Sequence, residues 1–230
     1  MTASSRRDFI AGAFGAAFIC SAPAFAQEAP IAQEMPPLPG VPLTQEAPSL
    51  PPPVGAFVID WQGGPETPET LASLDAQIAL VQGLRIKPEI AAFFASQSIK
   101  IDLKNNSATR ASPGGIIFGR KPVPADNPVL LHELLHRYHL LKLTDGYQNP
   151  VIIGFYDQAM KDRKYPSDSY MYKNAIEFFG MTGSATLYGK AARSPDTRAS
   201  VAANLPDCFN WIVAEFGLVV EAAPLPLPPV

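Results

Sequence analysis

At 230 residues the chain has room for one domain plus tails, and its 47% hydrophobic content is ordinary for a protein with a real core. The 18 basic and 21 acidic residues form no basic block and no aromatic-basic interleaving, which argues against a nucleic-acid partner.

Residues 1–26 read as an export signal rather than as part of the fold. Ser5-Arg6-Arg7-Asp8-Phe9-Ile10 has the twin-arginine pattern, an apolar run continues to about Ala22, and Ala24-Phe25-Ala26 is a small-residue cleavage site. That run is shorter than the roughly 20 residues a membrane span needs, so a cleaved signal is expected, with an uncleaved anchor as the alternative. Cleavage would place the mature chain in the periplasm or outside the cell, with no membrane span. Losing Arg6, Arg7 and Asp8 from the 18 basic and 21 acidic residues leaves a net charge of −4. Cys208 is then the one cysteine left, so no intramolecular disulfide can form and a buried, inert thiol is expected.

Nine of the 27 residues in 27–53 are proline, a composition that suits an extended spacer better than a core. Residues 222–230 are proline-rich as well and read as a tail, which leaves 54–221 for the folded domain.

Within that domain Ala56-Phe57-Val58-Ile59 predicts a short strand ended by Gly63-Gly64-Pro65. Thr67-Pro68 is a cap followed by a proline at the first helical position, and it starts a helix through Leu71, Leu74, Ile78 and Val81 to Gly83. A second, short helix is expected over Pro88–Gln97, then a strand from Ser98 to Leu103 with Ile99, Ile101 and Leu103 on one face, then a turn at Asn105-Asn106. Ser112-Pro113-Gly114-Gly115 leads into a strand at Ile116-Ile117-Phe118, either an open sheet edge that could pair with an extended peptide or a plain strand.

The next helix carries the chemistry. Asn127 suits its N-cap and Pro128 its first position. Leu130, Leu134, Tyr138 and Leu141 form one face for the core, opposite a face bearing His132-Glu133-Leu134-Leu135-His136, an H-E-x-x-H. All three histidines of the protein (His132, His136 and His139) lie within eight residues. One turn apart on one face, His132 and His136 can grip a single Zn²⁺ while Glu133 stands beside them as general base. His139 shares the face but lies about 10 Å along the axis from His132, too far for the same ion, and is expected behind the ligands, at the rim of the site or on the surface.

Asn149-Pro150 predicts a helix through Ile153, Tyr156, Gln158 and Met160, ending in the basic stretch Lys161–Lys164; further helices are expected over Ser167–Phe179 and Pro206–Phe216, the last stopped by Gly217. Strands early and helices late make an α+β pattern. A catalytic zinc usually has three protein ligands and an open position. Glu177, 41 residues after His136 and flanked by Ile176, Phe178 and Phe179, is the candidate third ligand; an exposed glutamate or one paired with Lys173 is the alternative. Asp145, Asp157 and Glu215 are candidates for orienting the histidines.

The H-E-x-x-H followed by Asn174-Ala175-Ile176-Glu177-Phe178-Phe179 resembles the gluzincins, zincin metallopeptidases whose third ligand is glutamate, and most closely the type represented by the anthrax lethal factor catalytic domain and related bacterial peptidases. The likeness covers about residues 128–190. It implies a zincin-like domain with a small mixed or antiparallel sheet followed by helices, zinc held by His132, His136 and Glu177, Glu133 as base, and a tyrosine on the Glu177 helix that assists the transition state. Tyr170 matches that tyrosine by its spacing. On a continuous helix it would share a face with Asn174 and Glu177 about 10 Å away along the axis, with Tyr172 pointing elsewhere. Gly180 and Gly183 depart from the residues usual in that helix. The expected activity is that of an exported zinc metalloendopeptidase acting on a peptide or protein. A non-catalytic binding module with a structural metal, an inactive descendant, or a hydrolase of another bond are the alternatives.

Overall fold

The computed structural model describes residues 56–60, 67–102, 107–193 and 195–219. The expected signal, spacer and tail, the Gly63-Gly64-Pro65 turn, Leu103 and the Asn105-Asn106 turn lie outside the described residues. The fold is α+β, with a small sheet followed mainly by helices. Four strands, β1 (Ile59–Asp60), β2 (Ile99–Ile101), β3 (Arg110–Ser112) and β4 (Gly115–Phe118), pair in the order β1-β2-β4-β3. The two pairings among β1, β2 and β4 are parallel, and β3 closes the sheet antiparallel to β4 with Ala111 opposite Ile116. The sheet is therefore mixed. Ile99, Ile101, Ile116 and Phe118 point into the core from alternate positions.

The strand at Ile116-Ile117-Phe118 is interior to the sheet, not an open edge. The edge on that side of the sheet is β3, which the sequence pattern did not suggest because Arg110-Ala111-Ser112 has little β propensity and is short. A tight turn at Pro113-Gly114 folds it back on β4.

The helices are α1 (Pro68–Gln82), α2 (Pro88–Ala95), α3 (Val129–Lys142), α4 (Pro150–Asp162), α5 (Ala175–Tyr188), α6 (Arg198–Asn204) and α7 (Pro206–Phe216). Thr67 caps α1 by accepting from the Thr70 N–H, and the Asn149 side chain accepts from Val151 and Ile152 at the start of α4, both as expected. The α6 helix, with its Thr197/Ser200 capping box, was not anticipated.

Expectation and structure part over α3. The helix starts at Val129 with Pro128 in the cap position and no side-chain cap of its own. Asn127 does not cap it. Gln77 on α1 does so from a distance: its Oε1 accepts from the Leu130 N–H at 3.1 Å and its Nε2 donates to the Asn127 carbonyl at 2.8 Å. Gln77 is the last of a polar stripe on the inner face of α1, at helical spacing. Thr70 donates to the Arg120 carbonyl at 2.9 Å, and Ser73 accepts from the Val123 N–H at 3.1 Å. The stripe satisfies backbone groups along the whole approach to α3, where regular structure supplies none.

Nor does α3 divide into a core face and an open face. Every residue from Val129 to His139 is buried, because α5, α1, α2, β3 and β4 all pack around it, whereas Leu141, expected in the core, is 50% exposed. The far side of α3 meets an aromatic cluster in which Tyr138 lies 4.9 Å from Phe216 and 6.3 Å from Phe94. Tyr138 donates to Glu215 at 2.6 Å, and burial followed by that carboxylate pushes its phenol well above the usual range. Burial likewise pushes the Cys208 thiol up to about 12, so it is the inert core residue expected.

Replacing Gln77 by Ala should destabilise the protein by about 2–4 kcal/mol, since two buried backbone groups lose their partners and a cavity opens. Urea unfolding measures it; a Gln77→Ala midpoint equal to wild type would remove Gln77 from the support of α3.

Candidate active site

Where α3 crosses α5, four ionisable side chains meet. The ring nitrogens of His132 and His136 and a carboxylate oxygen of Glu133 all lie within 4.8 Å of one another. The two imidazole rings sit edge to face, 4.5 Å between centroids, as residues one helical turn apart should. Glu177 arrives from α5. Its Oε2 is 3.1 Å from His132 Nε2 and 3.5 Å from His136 Nε2. Three donor atoms bound tetrahedrally at about 2.0–2.1 Å stand roughly 3.3 Å apart, and the two distances from Glu177 Oε2 to the histidine nitrogens match that spacing.

The other oxygen of Glu177 has different partners. Oε1 accepts from Tyr170 Oη at 3.2 Å and from Lys173 Nζ at 3.2 Å, and Lys173 also donates to the Tyr170 hydroxyl at 2.8 Å. The pairing with Lys173, weighed against a ligand role on sequence, therefore coexists with the approach to the histidines. Burial opposes the charge of Glu177, and the His132 and His136 imidazoles outweigh it, holding the carboxyl far below the usual range. His132 is pushed down by burial, against the raising effect of its contact with Glu177.

The path to Tyr170 differs from the expected continuous helix over Ser167–Phe179. Residues Tyr170–Tyr172 form a single 3₁₀ turn capped by Ser169, and α5 starts afresh at Ala175 with Asn174 accepting from the Glu177 N–H at 2.8 Å. Glu177 thus sits in the first turn of α5, where the helix dipole favours a carboxylate. Because the chain turns between them, Tyr170 reaches hydrogen-bonding distance of Glu177 instead of standing about 10 Å up an axis. Tyr172 is a packing residue whose hydroxyl accepts from the Tyr165 N–H at 3.0 Å.

Gly180 and Gly183 do not shorten α5, which runs on to Tyr188. They allow it to approach. A Cβ on Gly180 would lie 2.6 Å from His132 Cε1 and 2.9 Å from His136 Cε1, and one on Gly183 would lie 2.8 Å from Leu135 Cδ1. Bare backbone at these two positions lets Glu177, one turn earlier, reach the histidines.

Glu133 is held from two sides: Oε2 accepts from the Ala111 N–H of β3 at 2.8 Å, and Arg193 Nη2 stands 3.3 Å from Oε1. Arg193 also lies over the Tyr170 ring, 5.4 Å from its centroid. One turn further on, Arg137 binds the carbonyls of Ser112 and Pro113 at 2.9 and 3.0 Å. Together they fasten the edge strand to α3. Ala111, Arg137 and Arg193 were not legible as site residues. The glycine pair, three residues apart in an otherwise helical run, was the available signal for the close crossing.

Of the outer candidates, none orients a histidine. Glu215 serves Tyr138, Asp145 and Asp157 are exposed, and the buried Nδ1 atoms of His132 and His136 have no hydrogen-bond partner among the described residues. His139 is not at the surface: it is fully buried, edge-on to Tyr147 and Phe179 at 5.3 and 5.0 Å, and neither ring nitrogen has a partner among the described residues. Burial, then the charge of His136, pushes it down to about 4.

No protein-family model matches the sequence, and no characterised protein matches it by sequence. Among solved structures, the fold is similar to that of the PRO-PRO endopeptidase from Paenibacillus alvei, with 14% identity, 69% of this chain and 97% of that chain covered, and a TM-score of 0.48.

Two outcomes are expected. Gly180→Ala should destabilise by about 1–3 kcal/mol by forcing the imidazoles aside. Gly154→Ala, on α4 with nothing within 4 Å of the new methyl, should stabilise by about 1 kcal/mol. Denaturant unfolding of both variants separates steric contact from helix propensity, and equal shifts would mean Gly180 is not a contact glycine. For His139, the unfolded ring takes its proton near 6.5 and the folded ring near 4. The unfolded chain binds more protons in between, so stability falls as pH drops from about 6.5 and the loss, up to about 3 kcal/mol, is complete near 4. His139→Phe should flatten that part of the stability–pH curve; an unchanged slope would mean the ring is not held neutral.

Proposed function

We propose that the protein is an exported zinc metallopeptidase of zincin type, in which His132, His136 and Glu177 would hold the ion and Glu133 is the general base. The observation that carries this reading is the position of Glu177: a carboxylate from a second helix is brought to both Nε2 atoms at the edge lengths of a tetrahedral site. One oxygen of the buried Glu133 and one of the half-buried Glu177 already have a cationic partner in Arg193 and Lys173, and the Glu177 oxygen turned to the imidazoles is the one a metal cation would take. Support for export comes from the twin-arginine pattern at Arg6-Arg7. Among the described residues no helix is long and apolar enough to cross a membrane.

When bound, zinc supplies Lewis acidity and a water whose pKa is lowered to about 7. Glu133 takes a proton from the attacking water at its carboxylate and returns it to the leaving amine. Its anchorage to the Ala111 N–H holds one oxygen still and leaves the other to exchange Arg193 for water. The Tyr170 hydroxyl, poised on Glu177, is placed to donate to the oxygen of the scissile carbonyl as it gains charge. The outward edge of β3, marked by the Ala111 N–H that points at Glu133, is a strand to which an extended peptide can add.

Elemental analysis of the purified full chain should return one zinc per molecule, and a protein that takes up none when zinc is supplied sinks the reading. Glu177→Ala should weaken zinc binding by more than the roughly 10–100-fold that loss of an outer partner costs. Glu133→Gln should keep the zinc and the fold but lose turnover on peptides found by library digestion. Tyr170→Phe should keep zinc and Tm while kcat falls about 10²–10³-fold with KM little changed. Wild-type turnover in either variant would remove that residue from the mechanism.

A further inference from the structure

Beside Glu133 lies a cavity that none of the residues assigned above fills. It measures about 460 Å³ and is walled by Thr109 before β3, by Lys121 and Val123 of the loop that the α1 stripe holds, by Asn127 and Val129 at the start of α3, and by Arg193. Val129 is one helical turn before Glu133, and Arg193, a residue of the cavity wall, reaches the Glu133 carboxylate at 3.3 Å, so one side chain links the cavity to the proposed base. Among the described residues its wall contains two cations and no acid. The acid nearest in sequence, Asp126, is taken up by Lys190 at 2.7 Å, and that ammonium holds its carboxyl below the usual range. Lys121 makes no ion pair among the described residues.

The sheet sets the direction in which a substrate would cross this cavity. β3 exposes its outer edge to Glu133, and antiparallel pairing is the more stable way to extend it. A peptide laid antiparallel on β3 carries its C-terminal half back across residues 107–109, over the cavity.

We propose that this cavity receives the part of the substrate C-terminal to the scissile bond, and that Lys121 and Arg193 select a carboxylate there. The carboxylate comes from an Asp or Glu side chain or from the substrate's own C-terminus. A bound carboxylate draws Arg193 toward the cavity and away from Glu133, leaving the base free for water. This deepens, and rests on, the peptidase reading above.

The test is calorimetric binding to the zinc-supplemented full chain. The probes are acetylated, amidated Ala/Ser octapeptides in which a single Glu or Gln is walked along the sequence, plus the residue-free host with its C-terminal carboxylate left uncapped. Glu peptides should bind about two- to fivefold more tightly than their Gln counterparts when the residue lies in the C-terminal half, the range expected of a partly exposed charge pair. The preference should shrink between about 0.05 and 0.5 M salt. Lys121→Gln should remove most of it while leaving the affinity of the Gln peptides unchanged. Tighter binding of the uncapped host alone assigns the site to a chain terminus; tighter binding of capped Glu peptides assigns it to a side chain. Equal affinities for Glu and Gln, a preference confined to the N-terminal half, no binding of any peptide, or a preference that survives Lys121→Gln overturns the proposal. Selective binding without cleavage would instead overturn the peptidase reading and leave this site standing, and cleavage without carboxylate preference would do the reverse.

Discussion

The contact between α3 and α5 at Gly180 is the constraint on which the site depends. Two imidazoles and two carboxylates are gathered there at 0–6% exposure for the residues of α3, and desolvating such groups without compensation would cost several kcal/mol each. The structure offsets that cost by dividing the acceptors. Glu133 has a backbone N–H and a guanidinium; Glu177 has a phenol and an ammonium on one oxygen and the histidines on the other. A methyl group at position 180 would part the helices and undo the division, because it would occupy the space of the His132 ring edge.

Around that contact, α3 is held as a central rod with supports on every side. Gln77 caps it from α1, Arg137 and Glu133 fasten the edge strand to it, and the Tyr138–Glu215 bond ties its far face to α7. Rigid placement of this kind is what the proposed hydrolytic site would need, since a base or ligand displaced by about 1 Å loses much of its effect. The same supports shape the cleft. The polar stripe of Thr70, Ser73 and Gln77 holds the loop from Arg120 to Asn127 in place, and that loop forms one wall of the cavity beside Glu133.

His139 shows what a histidine does in the same helix without a hydrogen-bond partner among the described residues. Three residues from His136, it is buried against aromatic rings, and its depressed proton affinity makes it a component of the core that weakens in acid. Spacing along the helix ruled it out as a ligand of the same ion, but could not tell core from surface. Burial is decided by what packs across the gap, here Tyr147 and Phe179.

Much of the candidate site was legible in the chain itself. Local features belong to the sequence: the one-turn spacing of His132 and His136, Glu133 beside them, the Thr67 and Asn149 caps, and the stop at Gly217 all follow from backbone geometry within a few residues. Glu177 was legible as a carboxylate among apolar neighbours. The tertiary structure alone decided the rest, because each remaining feature joins segments far apart in the chain. Gln77 caps a helix 53 positions away, Ala111 and Arg193 hold Glu133 from 22 and 60 positions away, and the break before Ala175 swings Tyr170 onto Glu177. Side-chain spacing within one helix is set by 3.6 residues per turn, whereas which backbone group lies across from a given side chain is set only when the helices and the sheet have packed.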